Sequence, residues 1–234
     1  MNNYFNYFTE VEEHFVRKRG KNLLVSPLDW CLIELWRDSG IPLHIVLRGI
    51  ERSFESVQKR QKRAPNTLFY CHQAILEAFE EYNQAMLGTS PEAGEAEAAS
   101  LSSGDPSQLE AVLNYLQELE NFLKANSGGV FERSSGRVAA LKSELLSAQS
   151  ADLRVLDRDL AQIGVMLAEA LKEEMGSEKV KELGGEVRQE MKIYRKRLSK
   201  EMYQRLEKTY LDRKILALHG LPEFSLLGVE MAGE

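Results

Sequence analysis

Residues 153–171 read LRVLDRDLAQIGVMLAEAL, and their leucine and isoleucine side chains recur in steps of three and four residues. This spacing places the apolar side chains on one face of an α-helix, in the seam pattern of coiled coils. The seam residues are Leu153, Leu156, Leu160, Ile163, Leu167 and Leu171. Because a long helix with one apolar face has to pack against other helices, the stretch predicts an all-α fold.

Leucine-rich patterns on both sides of this helix extend the same architecture. The preceding pattern stops at Gly128-Gly129, and Gly176-Ser177 permits a reversal into the pattern that follows. We therefore predict an antiparallel long-helix hairpin or bundle with coiled-coil character over residues 108–219, and a tail over 220–234. A seam of this length favours a protein partner or a second copy, although packing within the chain could also cover it.

The composition changes abruptly at residues 88–107, which read GTSPEAGEAEAASLSSGDPS. The segment holds four acidic residues and no aromatic or basic residue. Because such a composition buries too little apolar surface to offset the entropy of folding, we predict a disordered acidic linker. This linker separates an N-terminal helical module, residues 1–87, from the C-terminal helices.

The N-terminal module contains the clearest helix-start signal in the chain, within SPLDWCLIELWRDSGIPLHIVLRGIERSF at residues 26–54. Ser26 is placed as an N-cap and Pro27 occupies the first helical position. After Gly40, Pro42 can open a second helix that carries a regular aliphatic stripe. Two helices joined by a short glycine-containing turn predict an element similar to a helix-turn-helix.

This segment resembles the helical replication-initiation modules of the DnaD type, in which a polar-capped helix with a tryptophan precedes a helix with an aliphatic stripe. The resemblance covers residues 26–54, about a tenth of the chain, and it assigns DNA contacts to no particular residue. It implies a helix-turn-helix replication module at this position. The rest of the chain is similar to uncharacterised bacterial helical proteins.

One face of the predicted second helix, residues 42–63, is basic. At 100° per residue its cations fall within a narrow arc opposite the apolar stripe. They are Arg48, Arg52, Lys59 and Arg63. Since Glu51 and Glu55 lie beside them, the arc is either the solvated face of an amphipathic helix or a phosphate-binding surface. If the protein binds DNA, these four side chains are the predicted nucleic-acid contacts.

A second basic segment occupies residues 192–214, with nine basic residues against three acidic ones. Such a segment could bind nucleic acid or an acidic membrane. It could equally be the solvated outer face of a helix with snorkelling arginines at its edges. The whole chain carries a net charge of −6, so no general basic excess supports nucleic-acid binding.

The composition also argues against several classes of function. The histidines and cysteines show no zinc-ligand spacing, and the glycine pairs lack the pattern of a phosphate loop. We therefore predict no catalytic, metal or cofactor-binding residues, no cofactor and no enzyme activity. No apolar run is long enough to span a membrane, and the N-terminus lacks the basic region of a secretory signal. Two cysteines, expected as reduced thiols, favour a cytoplasmic location.

Two functions are consistent with these patterns. The first is a non-enzymatic interaction or assembly protein that binds a protein partner or a second copy through its C-terminal helices. The alternative is a DNA-binding accessory protein, related to replication or transcription, that uses the helix at residues 42–63.

Overall fold

The computed structural model describes residues 6–20, 25–60, 64–86, 100–101, 106–126, 128–147 and 151–226. Its fold is all-α, as the apolar spacing predicts. The helices are α1 (Asn6–Arg19), α2 (Pro27–Asp38), α3 (Leu43–Lys59), α4 (His72–Met86), α5 (Pro106–Ala125), α6 (Gly129–Ser147), α7 (Leu153–Met175), α8 (Ser177–Glu190) and α9 (Lys200–Leu218).

Short elements complete the described part of the chain. Two 3₁₀ segments, Leu68–Cys71 and Met191–Lys196, precede α4 and α9. The two-residue strands β1 (Ser100–Leu101) and β2 (Ala151–Asp152) pair antiparallel. Most of the predicted linker lies outside the described residues, so its disorder stays a prediction.

The chain forms two compact units, and the division between Glu97 and Ala98 falls within the predicted linker. The bundle unit comprises Met1–Phe5, Ala98–Glu186 and Leu211–Glu234, and the N-terminal unit comprises Asn6–Glu97 and Val187–Tyr210. The sequence pattern places residues 187–210 with the C-terminal bundle, whereas in the structure they belong to the unit that holds α1–α4. The physical reason is aromatic packing, because the buried Tyr194 ring lies 4.0 Å from the Phe69 ring between centroids.

In the bundle unit, the seam of α7 is covered by the chain itself. All six seam side chains are buried, and none is more than 7% exposed. They join one apolar core with buried residues of α5, α6 and α9. The seam therefore gives no physical reason to require a second copy.

The first part of the predicted tail also belongs to this core. Its buried apolar side chains are Leu221, Phe224 and Leu226. The buried carboxylate of Asp157 accepts hydrogen bonds from the Ser225 hydroxyl at 2.8 Å and from the Leu226 N–H at 2.7 Å. Phe224 lies so close to Gly164 that a Cβ on this glycine would be 2.8 Å from the Phe224 Cβ. Residues 221–226 are thus packed onto α7.

In the N-terminal unit, α2 starts as the sequence predicts. The Ser26 hydroxyl oxygen accepts a hydrogen bond from the Asp29 N–H at 3.1 Å, and Pro27 is the first helical residue. The buried Asp29 carboxylate in turn accepts the Leu68 N–H at 3.1 Å, which fixes the 3₁₀ segment beside the start of α2. Burial raises the pKa of Asp29 to about 6.

A second buried polar contact joins α2 to α4. The Trp36 indole N–H donates to His72 Nδ1 at 2.9 Å, and the two rings are stacked. His72 is 1% exposed, and burial lowers its pKa to about 4. This histidine is therefore neutral in the folded protein near neutral pH, as its role as acceptor requires.

We predict that His72 makes the N-terminal unit sensitive to acid. Above pH ~6.5 the histidine is neutral in both states, so its contribution to stability is fully present. As the pH falls from ~6.5 towards ~4 the unfolded chain binds the proton first, and about 3 kcal/mol is lost. Asp29 has the opposite effect on the pH dependence of stability. Because its pKa is raised in the folded state, its contribution to stability is present below pH ~4 and is lost as the pH rises through ~6.

The pH dependences due to His72 and Asp29 oppose each other, so the contribution of His72 is isolated by comparing wild type with His72→Asn. The asparagine amide oxygen can still accept the hydrogen bond from the Trp36 indole N–H. The variant should lose less stability between neutral pH and pH ~4.5, measured by urea unfolding. An NMR titration should place the pKa of His72 near 4, and a value near 6.5 would contradict the buried geometry.

Candidate nucleic-acid interface

The predicted contacts Arg48 and Arg52 are engaged in packing α3 against α4. Both guanidinium nitrogens of Arg52 bond the two carboxylate oxygens of Glu81, each at 2.8 Å. Arg48 donates to the Ala78 carbonyl oxygen at 3.0 Å and lies 3.7 Å from the Glu81 carboxylate. Hydrogen bonding to Arg52 lowers the pKa of Glu81 and raises the pKa of Arg52. These two cations are therefore largely compensated by a carboxylate.

The other predicted contacts lie towards the end of α3. Lys59 is exposed in the last turn, about 10 Å along the helix axis from Arg52, and Arg60 follows as the C-cap. Both line a shallow opening with Glu55. Neither forms an ion pair with any residue that the structure describes. Arg63 lies outside the described residues, so the four predicted contacts are not seen as one surface.

The 3₁₀ segment Met191–Lys196 presents a different set of cations. Side chains three residues apart align in a 3₁₀-helix, and Met191 and Tyr194 form the buried edge. The other two edges face solvent, with Lys192 and Arg195 on one and Ile193 and Lys196 on the other. The segment is therefore anchored by its apolar edge and displays its charges outward.

Two contacts hold this segment in place. The Tyr194 ring packs on Phe69, and its burial raises the pKa of the Tyr194 phenol. Immediately before the segment, the Glu190 carboxylate accepts a hydrogen bond from the Tyr210 hydroxyl at 2.5 Å. The segment is thus held immediately before its start and at its fourth residue, next to the exposed cations.

An exposed aromatic residue borders these cations. The Arg197 guanidinium lies 5.6 Å from the centroid of the Tyr70 ring and 5.7 Å from that of Phe69. Phe69 is buried, whereas Tyr70 is 53% exposed. We call the following residues the basic surface: Tyr70, Lys192, Ile193, Arg195, Lys196, Arg197 and Lys200.

The cations of the basic surface differ from their neighbours in their ion pairing within the described residues. None of its five lysines and arginines forms an ion pair within the described part of the chain. Neighbouring arginines differ, because Arg205 pairs with Asp38 at 2.7 Å and Arg188 pairs with Glu207 at 3.2 Å. Three of the five, Lys192, Arg195 and Lys196, lie within the six-residue 3₁₀ segment, which is about 12 Å long.

The sequence predicts the basic charge of this region but does not predict how its side chains are arranged. The excess in residues 192–214 was visible, yet a continuous helix turns Arg195 away from Lys196 and Arg197. In the structure all three side chains are exposed. No sequence pattern marks Tyr70 as a candidate functional residue, because its place beside Arg197 depends on a contact between distant parts of the sequence.

The bundle unit has an apolar surface as well. Val165 and Met166 on α7 are 42% and 49% exposed. Met166 lines an opening of about 300 Å³ between α6 and α7 together with Ile163, Arg133 and Arg137. This surface could accept an apolar side chain.

The described residues contain no group of three or more histidine, cysteine or carboxylate side chains that could hold a metal ion. Burial raises the pKa of the Cys71 thiol to about 12, so it is not an activated nucleophile. Within the same residues, no helix has the length and apolarity needed to cross a membrane.

A comparison with protein-family models matches the N-terminal part of the chain. A family model described as "Uncharacterised protein" matches residues 6–91, which include α1–α4 and Tyr70. The chain has no significant match to a curated protein or to a solved structure. The resemblance of residues 26–54 to DnaD-type modules stays a prediction.

Proposed function

We propose that this protein is a non-enzymatic interaction protein that binds nucleic acid through the basic surface of its N-terminal unit. The observation that carries the proposal is a set of five exposed cations that form no ion pair among the described residues, one of which, Arg197, lies against an exposed tyrosine. Such cations bind favourably to the phosphates of nucleic acid, because binding releases the counterions condensed on the nucleic acid. The α3 arginines are less suited, since Glu81 already compensates them.

The dimensions of the basic surface fit a polymer of phosphates. A nucleic-acid strand carries one charge per ~3.4 Å of helix axis, so the 3₁₀ segment, about 12 Å long, can meet about three phosphates. The net charge of the chain is −6, which makes this surface a local exception. An acidic remainder repels the polymer elsewhere and orients its approach.

The test is a fluorescence-anisotropy titration of the full-length protein with labelled oligonucleotides at salt concentrations from about 50 to 200 mM. With about three phosphate contacts, the logarithm of the affinity should fall with the logarithm of the salt concentration with a slope of about −2 to −3. No binding at micromolar protein, or binding that salt leaves unchanged, would contradict the proposal.

A second proposal is self-association through the C-terminal helices. Because the α7 seam is buried, the contact would use the exposed Val165 and Met166 of two copies. Sedimentation velocity of the full-length protein should then show a dimer that Met166→Glu dissociates. A wild-type protein that stays monomeric up to high concentration would exclude this association.

A further inference from the structure

We infer that the ligand of the basic surface is single-stranded nucleic acid, and that Tyr70 is the platform on which a base stacks. This inference rests on the proposed function and names its ligand class. Its distinguishing observation is the position of Tyr70, which is 53% exposed although its neighbour Phe69 is buried. An exposed ring against Arg197, which forms no ion pair within the described part of the chain, matches the way proteins bind single strands, with a basic track and aromatic stacking.

Arg197 makes the platform larger and orients it. Its guanidinium lies over both Phe69 and Tyr70, at 5.7 and 5.6 Å from the ring centroids. A guanidinium plane is itself a stacking surface for bases, and its charge also attracts phosphate. One residue therefore links the aromatic part of the surface to its basic part.

The shape of the surface favours a single strand over a duplex. Proteins that read base edges in the major groove of a duplex insert an α-helix or a two-stranded ribbon. Here the cations lie on a six-residue 3₁₀ segment and the residues that follow it. The helix that could enter a groove, α3, has Arg48 and Arg52 bonded to α4. Only a strand with unstacked bases can stack a base on Tyr70 while its phosphates contact the cations.

The competing ligand is an anionic membrane. Ile193 is 55% exposed, and an apolar side chain among lysines could insert into the headgroup region. Nucleic acid is favoured because the exposed Tyr70 ring and the Arg197 guanidinium form an aromatic and guanidinium pair on which a base can stack. Anionic lipid vesicles are therefore included as a separate arm of the test.

The test compares wild type, Tyr70→Ala and Tyr70→Phe in full-length protein. The probes are labelled oligothymidylate and oligouridylate of about 20 nucleotides and a duplex of the same length. Tyr70→Ala should weaken binding of both single strands by about 5- to 100-fold, the range that loss of one stacked base predicts. Binding of the duplex should be nearly unchanged, and Tyr70→Phe should bind single strands as wild type does.

The outcomes separate the inference from the proposed function. If nucleic acid binds with the expected salt dependence but Tyr70→Ala has no effect, or weakens duplex and single strands equally, the stacking role is overturned and the proposed function stands. Preference of the wild type for duplex also overturns the inference. If the protein binds phosphatidylglycerol vesicles and no nucleic acid, both are overturned. Unchanged thermal unfolding of the variants verifies that the fold is intact.

Discussion

Replacing Gly49 with alanine should destabilise the N-terminal unit by about 3 kcal/mol. A Cβ at this position would lie 2.6 Å from the Cα and 2.8 Å from the backbone nitrogen of Ile75. A neighbouring backbone cannot rotate away as a side chain can, so α3 and α4 would have to separate. The separation would also strain the Arg52–Glu81 ion pair. The intrinsic preference of alanine for helices offsets only about 1 kcal/mol of this cost.

The measurement is urea unfolding followed by tryptophan fluorescence. The two tryptophans of the chain, Trp30 and Trp36, both lie in the N-terminal unit, so their signal reports on it. The matched control is Gly136→Ala on α6, where no atom lies within 4 Å of the added Cβ. This variant, followed by circular dichroism, should be neutral or slightly stabilised. Equal effects in the two variants would refute the close packing of α3 on α4.

Reversing four cations of the basic surface should lower the affinity for nucleic acid by about 100-fold or more. The four substitutions are Lys192→Glu, Arg195→Glu, Lys196→Glu and Lys200→Glu. Each one removes a favourable phosphate contact and introduces a repulsive charge, so the effects add in the same direction. Because these side chains are exposed and form no ion pair among the described residues, the fold should be preserved.

Local signals in the sequence were sufficient for the helices and for one of their starts. Ser26 and Pro27 mark the beginning of α2 through chemistry that involves only adjacent residues. The leucine steps of α7 define its buried face because helical periodicity is a local property. These features, and the all-α class that follows from them, depend on few long-range contacts.

Features that depend on distant residues could not be predicted in this way. The pairing of Arg52 with Glu81 joins residues 29 positions apart, and it changes the meaning of the basic face of α3. The leucine spacing of α7 predicts an apolar face that has to be buried. It does not predict that α5, α6, α9 and residues 221–226 pack against this face. Likewise, the packing of Tyr194 on Phe69 places residues 187–210 in the N-terminal unit, although the helical pattern continues across that boundary.

The most direct test of the proposed function is a binding titration that compares the basic surface with the cations at the end of α3. One full-length variant carries the four reversals in the basic surface, and the control carries Lys59→Glu and Arg60→Glu at the end of α3. Both control side chains are exposed and without an ion pair in the described structure. The four reversals should abolish salt-sensitive binding of oligothymidylate, whereas the control should bind nearly as wild type. Loss of binding in the control with retention in the quadruple variant would contradict this assignment and would place the interface on α3.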